Sequence, residues 1–465
     1  MENKRIHFIG ICGSAMAPIA VEMKNKGFNV SGSDKGFFPP ISLYLEKHNM
    51  GIQLGYKKEH ITDDISFVIL GNTVGEKNPE FLEAKEKNIP ILSYPELLEQ
   101  YLVKENSIVI TGEYGKTTIT SFLAFVFSKL NINPSYMYGG ISLNLDDSVK
   151  INDSNYSIIE GDEYNASPID KNSKFLYYHP KYLILTSLLW DHVDLFPKES
   201  DYIDSFKKLI LKLPEDGILF INKDDISTNK IYPISNKNIK IINYSVKDKS
   251  TEYYGEIVEY KDGVIKFLVN NTYKFETPLL GEHNISNLVA GISLCLTLGI
   301  EYNNLYSVVK EFLGAKRRLE IRYRSDKLIV IDDFAHSPYK IKASIQAVKK
   351  SFPNSNIISI FEPHSMSSRD KKTIQWYENI FNNSDKVIIT DIYKKEALSE
   401  ITRLNSEDIV KVVRNNVQNT IYTKNIDLID SIESSLTGND IVLFMSSGSF
   451  QGMLEKYVNK LISSK

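Results

Sequence analysis

The feature that most constrains the fold is a glycine-containing turn, TGEYGKTT, which begins at Thr111. The apolar run Ser107–Ile110 precedes it and helix-like periodicity follows at Ser121–Phe127, so the turn joins a predicted strand to a predicted helix. In such a turn backbone N–H groups converge on phosphate oxygens, a lysine neutralises the terminal phosphates, and the next hydroxyl binds magnesium. Lys116 and Thr117 fit the last two roles. The predicted phosphate contacts are Gly112, Gly115, Lys116, Thr117 and Thr118.

The length and charge of the chain limit the class of protein it can be. Its 465 residues suffice for about three domains, since a domain usually holds roughly 100 to 200 residues. The 55 basic and 58 acidic side chains give a formal net charge of -3, so no global field draws the chain to nucleic acid or acidic membranes. An anionic ligand must therefore be held by local contacts. The predicted domains are 1–105, 106–313 and 314–465.

The cysteines and the hydropathy pattern predict a cytoplasmic protein without disulfides. Cys12 and Cys295 lie far apart in the chain, as expected in a reducing compartment. The first apolar run becomes glycine-rich before a secretory signal could develop, and no window approaches the ~18 consecutive apolar residues of a spanning helix. We expect a monomer or weak homodimer that binds neither nucleic acid nor membrane.

Strands and helices alternate through three blocks, which predicts parallel sheets joined by right-handed crossovers. The first block has a helix at Met16–Asn25 and a strand at Asn29–Asp34. The second ends in a period of two around the tight turn Lys261–Gly263, which predicts a small antiparallel excursion. The third begins near Gly314, and helical periodicity after each of its strands again predicts a parallel sheet. The predicted fold is thus α/β with a Rossmann-like N-terminal domain, a P-loop central domain and a Rossmann-like C-terminal domain.

Two further strand ends carry the residues that a metal site would need. The run Tyr156–Ile159 ends in Glu160, and the run Tyr182–Leu189 is followed closely by Asp191 and His192. Residues just past the carboxyl ends of adjacent parallel strands converge on one crevice. Carboxylate oxygens suit magnesium, and a neutral imidazole nitrogen can join them. The predicted magnesium ligands are Thr117, Glu160 and His192.

A second glycine-containing turn, GICGSAM, spans Gly10–Met16. It invites comparison with the dinucleotide-binding fingerprint, and Asp34 lies about where a ribose-binding acid would fall. Cys12 and Ala15, however, occupy the positions where that pattern has its second and third glycines. A nicotinamide-dependent oxidoreductase therefore fits poorly, whereas a turn that cradles another diphosphate stays open.

Taken in order, nine motifs resemble the Mur ligase family, the ATP-dependent enzymes that form amide bonds in peptidoglycan synthesis. The resemblance extends over the whole chain. It implies that the lactyl carboxylate of UDP-N-acetylmuramate attacks the γ-phosphate of ATP, that an amine attacks the resulting acyl phosphate, and that magnesium is the cofactor. The motifs are HFIGICGSAM with SGSD, TGEYGKTT, IEGDE, WDHVD, GEHNISN, GAKRRLE, DDFAHSP, FEPH and SSGS.

Within the family, the motifs most resemble the branch that attaches the tripeptide L-Ala-γ-D-Glu-meso-diaminopimelate to UDP-N-acetylmuramate in peptidoglycan recycling. The stretches IEGDEYNASPIDKNSKFLYYHP, SDKGFFPP and FEPHSMSSR carry this resemblance. The branch that adds L-alanine alone typically has a shorter linker after its acidic motif and an arginine where Ser365 stands. The tripeptide branch usually has an arginine where His364 stands. The tripeptide ligase is therefore favoured, with the L-alanine ligase as the alternative.

The resemblance also implies substrate contacts position by position. The catalytic residues would be Lys116, Glu160 and His192. The ATP contacts outside the phosphate turn would be His283, Asn284, Asn287, Arg317, Asp332 and His336. The UDP-sugar contacts would be Gly10, Cys12, Gly13, Ser14, Ser33, Asp34, Asn72 and Thr73. Because peptide carboxylates favour a bidentate partner, Arg369 is the candidate for the incoming peptide; the alternative is a solvated arginine at a helix start.

Several positions depart from the family pattern. Glu113 and Tyr114 stand where the phosphate turn usually has Thr or Ser and then His, so a carboxylate lies beside the expected triphosphate. Leu189 replaces a glutamate, Ser337 replaces a second histidine, and Phe206 stands at the place of a lysine that many relatives carbamylate. These changes leave open a second class of protein, a catalytically weak sensor of UDP-sugar or nucleotide with the same fold.

Overall fold

The computed structural model describes residues 4–39, 41–190, 195–234, 238–392 and 402–464. None of the helices in this part of the chain combines the length and hydropathy of a membrane span, and both cysteines are free thiols. The chain clusters into two compact units, and the predicted boundaries of three domains stay a prediction. The first unit comprises Met1–Glu256, Leu268–Tyr273 and Ser286–Phe312. The second comprises Ile257–Phe267, Lys274–Ile285 and Leu313–Lys465.

The N-terminal part of the first unit is a parallel sheet of five strands. They are β1 (Arg5–Ile9), β2 (Asn29–Asp34), β3 (Ile52–Leu54), β4 (Ile65–Leu70) and β5 (Ile91–Ser93). The helices are α1 (Met16–Asn25), α2 (Ile41–Lys47), α3 (Pro79–Glu86) and α4 (Tyr94–Tyr101). The strand order is β3-β2-β1-β4-β5, so the carboxyl end of β1 is the switch point where ligands bind in doubly wound sheets. The structure confirms the helix and the strand predicted at 16–25 and 29–34.

The second sheet begins with β6 (Asn106–Thr111) and is mainly parallel. It continues through β7 (Ser135–Met137), β8 (Val149–Lys150), β9 (Tyr156–Gly161), β10 (Tyr182–Leu185), β11 (Ile218–Asn222) and β12 (Lys240–Ser245). These strands lie in the order β12-β11-β10-β6-β9-β7-β8, and β8 pairs antiparallel with β7. The helices are α5 (Lys116–Lys129), α6 (Glu199–Ile210), α7 (Glu282–Thr297) and α8 (Tyr302–Glu311).

The predicted excursion with a period of two is present after β12. It consists of β13 (Tyr253–Lys261), β14 (Val264–Val269) and β15 (Tyr273–Thr277). Asp262 and Gly263 in the turn between the first two strands have φ of 49° and 76°. Two successive positive φ angles are typical of the tight turns that join adjacent antiparallel strands, so the prediction of a tight turn is confirmed.

The second unit contains a sheet of six strands. They are β16 (Glu320–Arg324), β17 (Leu328–Asp333), β18 (Asn356–Phe361), β19 (Lys386–Ile389), β20 (Thr420–Tyr422) and β21 (Asp440–Met445). The helices are α9 (Pro338–Ser351), α10 (Ser406–Arg414), α11 (Leu428–Glu433) and α12 (Met453–Ser463). The order is β16-β17-β21-β18-β19-β20. Strands from distant parts of the sequence thus place the ends of β17, β18 and β21 side by side.

The third sheet is mainly parallel, with an antiparallel strand at its edge. β16 pairs antiparallel with β17, because the connection between them is far shorter than the dozen or more residues that a parallel crossover needs. After β18 the expected helical segment consists of two short 3-10 helices, Ser367–Arg369 and Lys371–Tyr377, rather than an α-helix. The remaining strand pairs of this sheet are parallel.

Candidate active site

The phosphate turn lies between β6 and α5, at the switch point of the second sheet. β6 pairs with β9 on one side and β10 on the other. Gly112 and Gly115 have φ of 124° and 85°, which glycine adopts without steric cost. A Cβ atom at Gly112 would lie 2.3 Å from Oγ1 of Thr186, and one at Gly115 would lie 2.4 Å from Oδ1 of Asn287. Both glycines are therefore required by the packing, and predicted residue Asn287 lies directly beside the turn.

Lys116 is held as a cation at the start of α5. Its Nζ donates to the carbonyl oxygen of Gly112 at 2.5 Å and to Oε2 of Glu163 at 3.2 Å. Burial by itself lowers the pKa of Lys116, but the carboxylates around it, of which Glu163 contributes most, raise the pKa above its ordinary value. The ammonium group therefore keeps its charge near neutral pH, as neutralisation of phosphate requires. Thr118, the last predicted contact of the turn, is buried in α5.

Thr117 and Glu160 bring two oxygen-bearing side chains together. Oγ1 of Thr117 lies 3.0 Å from both carboxylate oxygens of Glu160, and the N–H of Gly139 donates to Oε2 at 2.8 Å. Burial raises the pKa of Glu160, and the contacts with Gly139, Lys116 and Thr117 offset part of this increase. A buried carboxylate beside a hydroxyl is a donor pair that suits a hard cation such as magnesium. These residues can therefore contribute to a magnesium site.

The third predicted ligand, His192, lies outside the described residues, as do Asp191 and Asp194. Within the part of the chain that the structure describes, no group of three or more His, Cys, Asp or Glu side chains is arranged to hold a metal ion. The complete ligand set is therefore still a prediction. The segment that leads to it ends in Leu189 and Trp190, whose side chains are exposed.

The N-terminal turn contains several predicted UDP-sugar residues in one hydrogen-bonded network. The N–H of Gly10 donates to the carbonyl oxygen of Ser33 at 2.8 Å, and the N–H of Cys12 donates to Oδ2 of Asp34 at 2.9 Å. Gly13 donates to the carbonyl oxygen of Gly10 at 3.2 Å. The turn after β1 is therefore fixed by the carboxyl end of β2. Exposed residues at the neighbouring ends of the sheet are Ser14, Asn72 and Thr73.

Two residues of this region have no motif in the sequence that marks them. Glu80 is fully buried, accepts from Oγ of Ser33 at 2.5 Å and from the N–H of Lys57 at 3.1 Å, and lies 2.5 Å from Nδ1 of His60. Tyr56 lies at the mouth of the turn, and burial, with smaller effects of Asp34 and Glu80, raises its pKa to about 12. A glutamate in the first turn of a helix usually faces solvent, so no pattern distinguishes Glu80 before folding.

In the second unit, Arg317 and Asp332 lie at the adjoining ends of β17 and β21. Nη2 of Arg317 donates to the carbonyl oxygens of Ser446 and Gly448 at 2.6 Å and 2.5 Å, and its Nε lies 3.6 Å from Oδ1 of Asp332. Nη1 of Arg322 lies 3.5 Å from Oδ2 of Asp332. Burial raises the pKa of Asp332 to about 6 in spite of these guanidinium groups. The predicted contact of Asp332 with ribose hydroxyl groups stays a prediction.

The other predicted nucleotide contacts of the second unit differ in exposure. Nδ1 of His336 lies 2.8 Å from the carbonyl oxygen of Phe334, and burial lowers the pKa of His336, so the ring is neutral at pH 7. His283 is exposed at the start of α7. Asn284 is buried and its amide donates to the carbonyl oxygen of Leu280 at 2.8 Å.

Arg369, the candidate for the incoming peptide, is buried. Only 7% of the residue is exposed, so the alternative of a solvated arginine is wrong. Its Nε donates to the carbonyl oxygen of Ser365 at 3.3 Å, and Nη2 lies 2.9 Å from Sδ of Met366. Arg369 is the last residue of the short 3-10 helix Ser367–Arg369. Its contact with a peptide carboxylate stays a prediction.

Family models match most of the chain. The model for the Mur ligase family, catalytic domain, matches residues 5–105, that for the Mur ligase middle domain matches 110–295, and that for the Mur ligase, glutamate ligase domain, matches 317–448. Two curated relatives are named UDP-N-acetylmuramate–L-alanine ligase. The protein from Pelagibacter ubique is 32% identical over 97% of both chains, and the one from Clostridium kluyveri is 31% identical over 99% of both chains.

Two solved structures share the fold. The UDP-N-acetylmuramate-alanine ligase from Thermotoga maritima has a TM-score of 0.80 at 24% identity and covers 99% of this chain and 100% of its own. The murein peptide ligase from Psychrobacter arcticus has a TM-score of 0.64 at 23% identity and covers 98% of each chain. Together with the three sheets, these matches confirm the predicted α/β fold of three domains.

The chain belongs to the Mur ligase family. It is an ATP-dependent ligase that forms an amide bond in peptidoglycan synthesis, as the motifs of the phosphate turn and the strand ends predict.

Proposed function

We propose that this ligase joins the lactyl carboxylate of UDP-N-acetylmuramate to the amine of L-alanine. The choice of amine rests on relatives that carry this name and are 31–32% identical over nearly the whole chain. The tripeptide ligase, which the sequence motifs favour, has a counterpart in the murein peptide ligase, whose 23% identity supports the fold alone. The comparisons therefore favour the alternative of the sequence interpretation over its first choice.

The arrangement of Lys116, Thr117 and Glu160 supports the ATP-dependent step. Lys116 is a partly buried cation within the turn, and Thr117 places its hydroxyl 3.0 Å from the Glu160 carboxylate. Both substrates of the first step are anionic, so their repulsion must be screened before a phosphoryl group can pass between them. The lysine supplies one positive charge. Magnesium, held by Thr117 and Glu160 with the predicted ligand His192, would supply the rest.

In the proposed reaction a carboxylate oxygen of the sugar acid attacks the γ-phosphorus of ATP, and the bond from that phosphorus to the bridging oxygen of ADP breaks. The amine of L-alanine then attacks the acyl carbon, the bond from that carbon to the phosphate oxygen breaks, and the amine loses a proton. Lys116 stabilises the charge that develops on the phosphate oxygens. Holding the substrates in line converts encounters in solution into an oriented reaction within one site.

The remaining site residues divide between the other two substrates. The turn at Gly10 and Cys12, with Ser33 and Asp34, would hold the uridine diphosphate, because it lies at the carboxyl end of β1, the switch point where doubly wound sheets bind their ligands. Arg369 would orient the carboxylate of the amino acid. On these assignments, ATP, the sugar nucleotide and the amino acid each bind to a different part of the chain.

A coupled assay of phosphate release tests the proposal. Purified protein is supplied with ATP, magnesium and UDP-N-acetylmuramate, and either L-alanine or the tripeptide is added. We expect kcat/KM to be at least about tenfold higher with L-alanine, which one well-placed polar contact suffices to produce. A preference for the tripeptide would restore the first sequence interpretation. The absence of phosphate release with either amine would contradict ligase activity and favour the UDP-sugar sensor.

The acyl phosphate can be tested separately by isotope transfer. Substrate labelled with oxygen-18 in its lactyl carboxylate should deliver one label to the phosphate released. Phosphate without label would contradict attack of the carboxylate on ATP, even if the amide forms.

A further inference from the structure

Tyr114 is anchored at both its backbone and its side chain. Its hydroxyl group donates to Oδ2 of Asp225, and its carbonyl oxygen accepts from Oγ1 of Thr186 at 2.6 Å. Thr186 directly follows β10, whereas Asp225 lies after β11. The middle of the phosphate turn is therefore attached to two neighbouring strands of the sheet, in addition to β6 and α5, which it joins.

Asp225 also links Tyr114, through Ser227, to the segment after β10. The residue is 8% exposed, and its other oxygen, Oδ1, accepts from the N–H and Oγ of Ser227 at 2.8 Å and 2.5 Å. Oγ of Ser227 in turn accepts from the N–H of Leu188 at 2.8 Å. One carboxylate thus ties the phosphate turn to Leu188, three residues before the predicted metal-binding motif begins at Asp191.

A second set of contacts holds Asp225 itself in place. The amide of Asn222 donates to the carbonyl oxygen of Thr186 at 3.1 Å. Oγ1 of Thr228 donates to the carbonyl oxygens of Asn222 and Asp225 at 3.0 Å and 2.8 Å. The loop from 222 to 228 is therefore held by hydrogen bonds within itself and to the segment after β10.

We propose that Tyr114 and Asp225 are positioning residues for ATP, which fix the phosphate turn relative to the segment that leads to the predicted metal ligand His192. The inference rests on the proposed ATP-dependent reaction and adds to it Asp225, which none of the nine sequence motifs contains, as the partner of Tyr114. Without the tyrosine hydroxyl, the turn loses its attachment to Asp225 while Lys116 and Thr117 are unchanged. ATP then has to order the turn as it binds, which weakens binding.

Three variants of the full-length protein test this pair. Tyr114→Phe removes only the hydroxyl group. Tyr114→His restores a donor, because a neutral imidazole carries one N–H, and this is the residue type usual in the family. Tyr177→Phe is the matched control, since Tyr177 also donates to an aspartate, Asp170, but precedes β10 and so lies toward the opposite end of that strand.

The readouts are calorimetric affinity for ATP with magnesium, the KM of each substrate, and Tm. We expect Tyr114→Phe to weaken ATP affinity about tenfold, the scale of one hydrogen bond to a charged group, with the KM of UDP-N-acetylmuramate and of L-alanine within about twofold. Tyr114→His should recover most of the loss. Tyr177→Phe should bind ATP like the wild type.

The inference is wrong if Tyr114→Phe binds ATP within about twofold of the wild type, or if Tyr177→Phe loses as much affinity, since a general loss of rigidity would then explain both. A wild-type protein that binds ATP but forms no amide would contradict the proposed function. The ATP affinity of Tyr114→Phe would still decide the role of the pair in that case.

Discussion

The first unit contains two glycine turns, each between a central parallel strand and a helix. The N-terminal turn is bound by an acidic side chain of the protein, whereas the central turn carries a lysine. In the N-terminal turn the N–H of Cys12 donates to the carboxylate of Asp34, an anion supplied by the chain itself. In the central turn the start of the helix carries Lys116 and Thr117, which face carboxylates from neighbouring segments. The backbone conformation is similar in both turns, so the side chains determine which ligand each turn can bind.

This difference in charge indicates a separate role for each turn in the reaction. The carboxylate of Asp34 fixes the conformation of the N-terminal turn before a ligand binds. Such a preformed turn is suited to holding a ligand in one position. A turn with a partly buried ammonium group concentrates positive charge where phosphate charge must be neutralised. Loss of the lysine charge in the central turn should therefore act mainly on the chemical step, whereas substitutions that disturb the N-terminal turn should act mainly on binding of the sugar nucleotide.

The largest effect is expected for Lys116→Ala. Loss of the buried cation should lower kcat about a thousandfold, because the charge that develops on phosphate is no longer stabilised. The measurement is steady-state phosphate release at saturating substrates. Lys129→Ala at the other end of α5, where the lysine pairs with Glu311 on the surface, should keep normal activity. A kcat of Lys116→Ala within tenfold of the wild type would show that the two turns do not differ in this respect.

Glu160→Gln should have the next largest effect. The amide keeps the shape of the side chain but removes a charged oxygen donor, so we expect kcat to fall about a hundredfold and the magnesium concentration for half-maximal rate to rise. The rate is measured across a magnesium titration at saturating ATP. An unchanged magnesium requirement would exclude Glu160 from the metal site and leave it only its hydrogen bonds with Thr117 and Gly139.

A smaller effect, on KM rather than on kcat, is expected for Glu80→Gln. The amide weakens the contacts that fix Ser33 and the Lys57–His60 segment, so the KM of UDP-N-acetylmuramate should rise about tenfold while kcat changes little. Glu83→Gln is the control on the same helix, since Glu83 pairs with Lys87 near the surface. A fall in kcat of Glu80→Gln with an unchanged KM would contradict the assignment of the N-terminal turn to substrate binding.

The smallest effect is expected for Asp34→Asn, and it is measured at the thiol of Cys12. Burial, and then the negative charge of Asp34, raise its pKa to about 11, so the thiol stays protonated until the pH approaches that value. Alkylation by iodoacetamide at pH 8 should therefore be roughly a hundredfold slower than for an ordinary cysteine. Asp34→Asn should lower this pKa and accelerate the reaction severalfold, and UDP-N-acetylmuramate should protect the thiol. Modification is followed by mass spectrometry, and rapid alkylation of the wild type would contradict the proposed charge effect.

Long segments with a clear period could be predicted from the sequence, and short ones could not. The helix at 16–25, the strand at 29–34 and the tight turn at 261–263 match the structure because local preferences fix them. Strands of two or three residues, such as β3 and β8, offer too little periodicity to detect. The antiparallel edge strand β16 was likewise set by its short connection to β17 rather than by composition.

The phosphate turn could be predicted from local sequence, since glycines, a lysine and a hydroxyl between an apolar strand and a helix specify that chemistry. The polar residues that hold the turns in place become apparent only in the folded chain. Glu80 reaches Ser33 across 47 positions of the chain, and Tyr114 reaches Asp225 across 111. Such pairs carry no local pattern, because the requirement that a buried polar group finds a partner arises only once the sheet has closed around it.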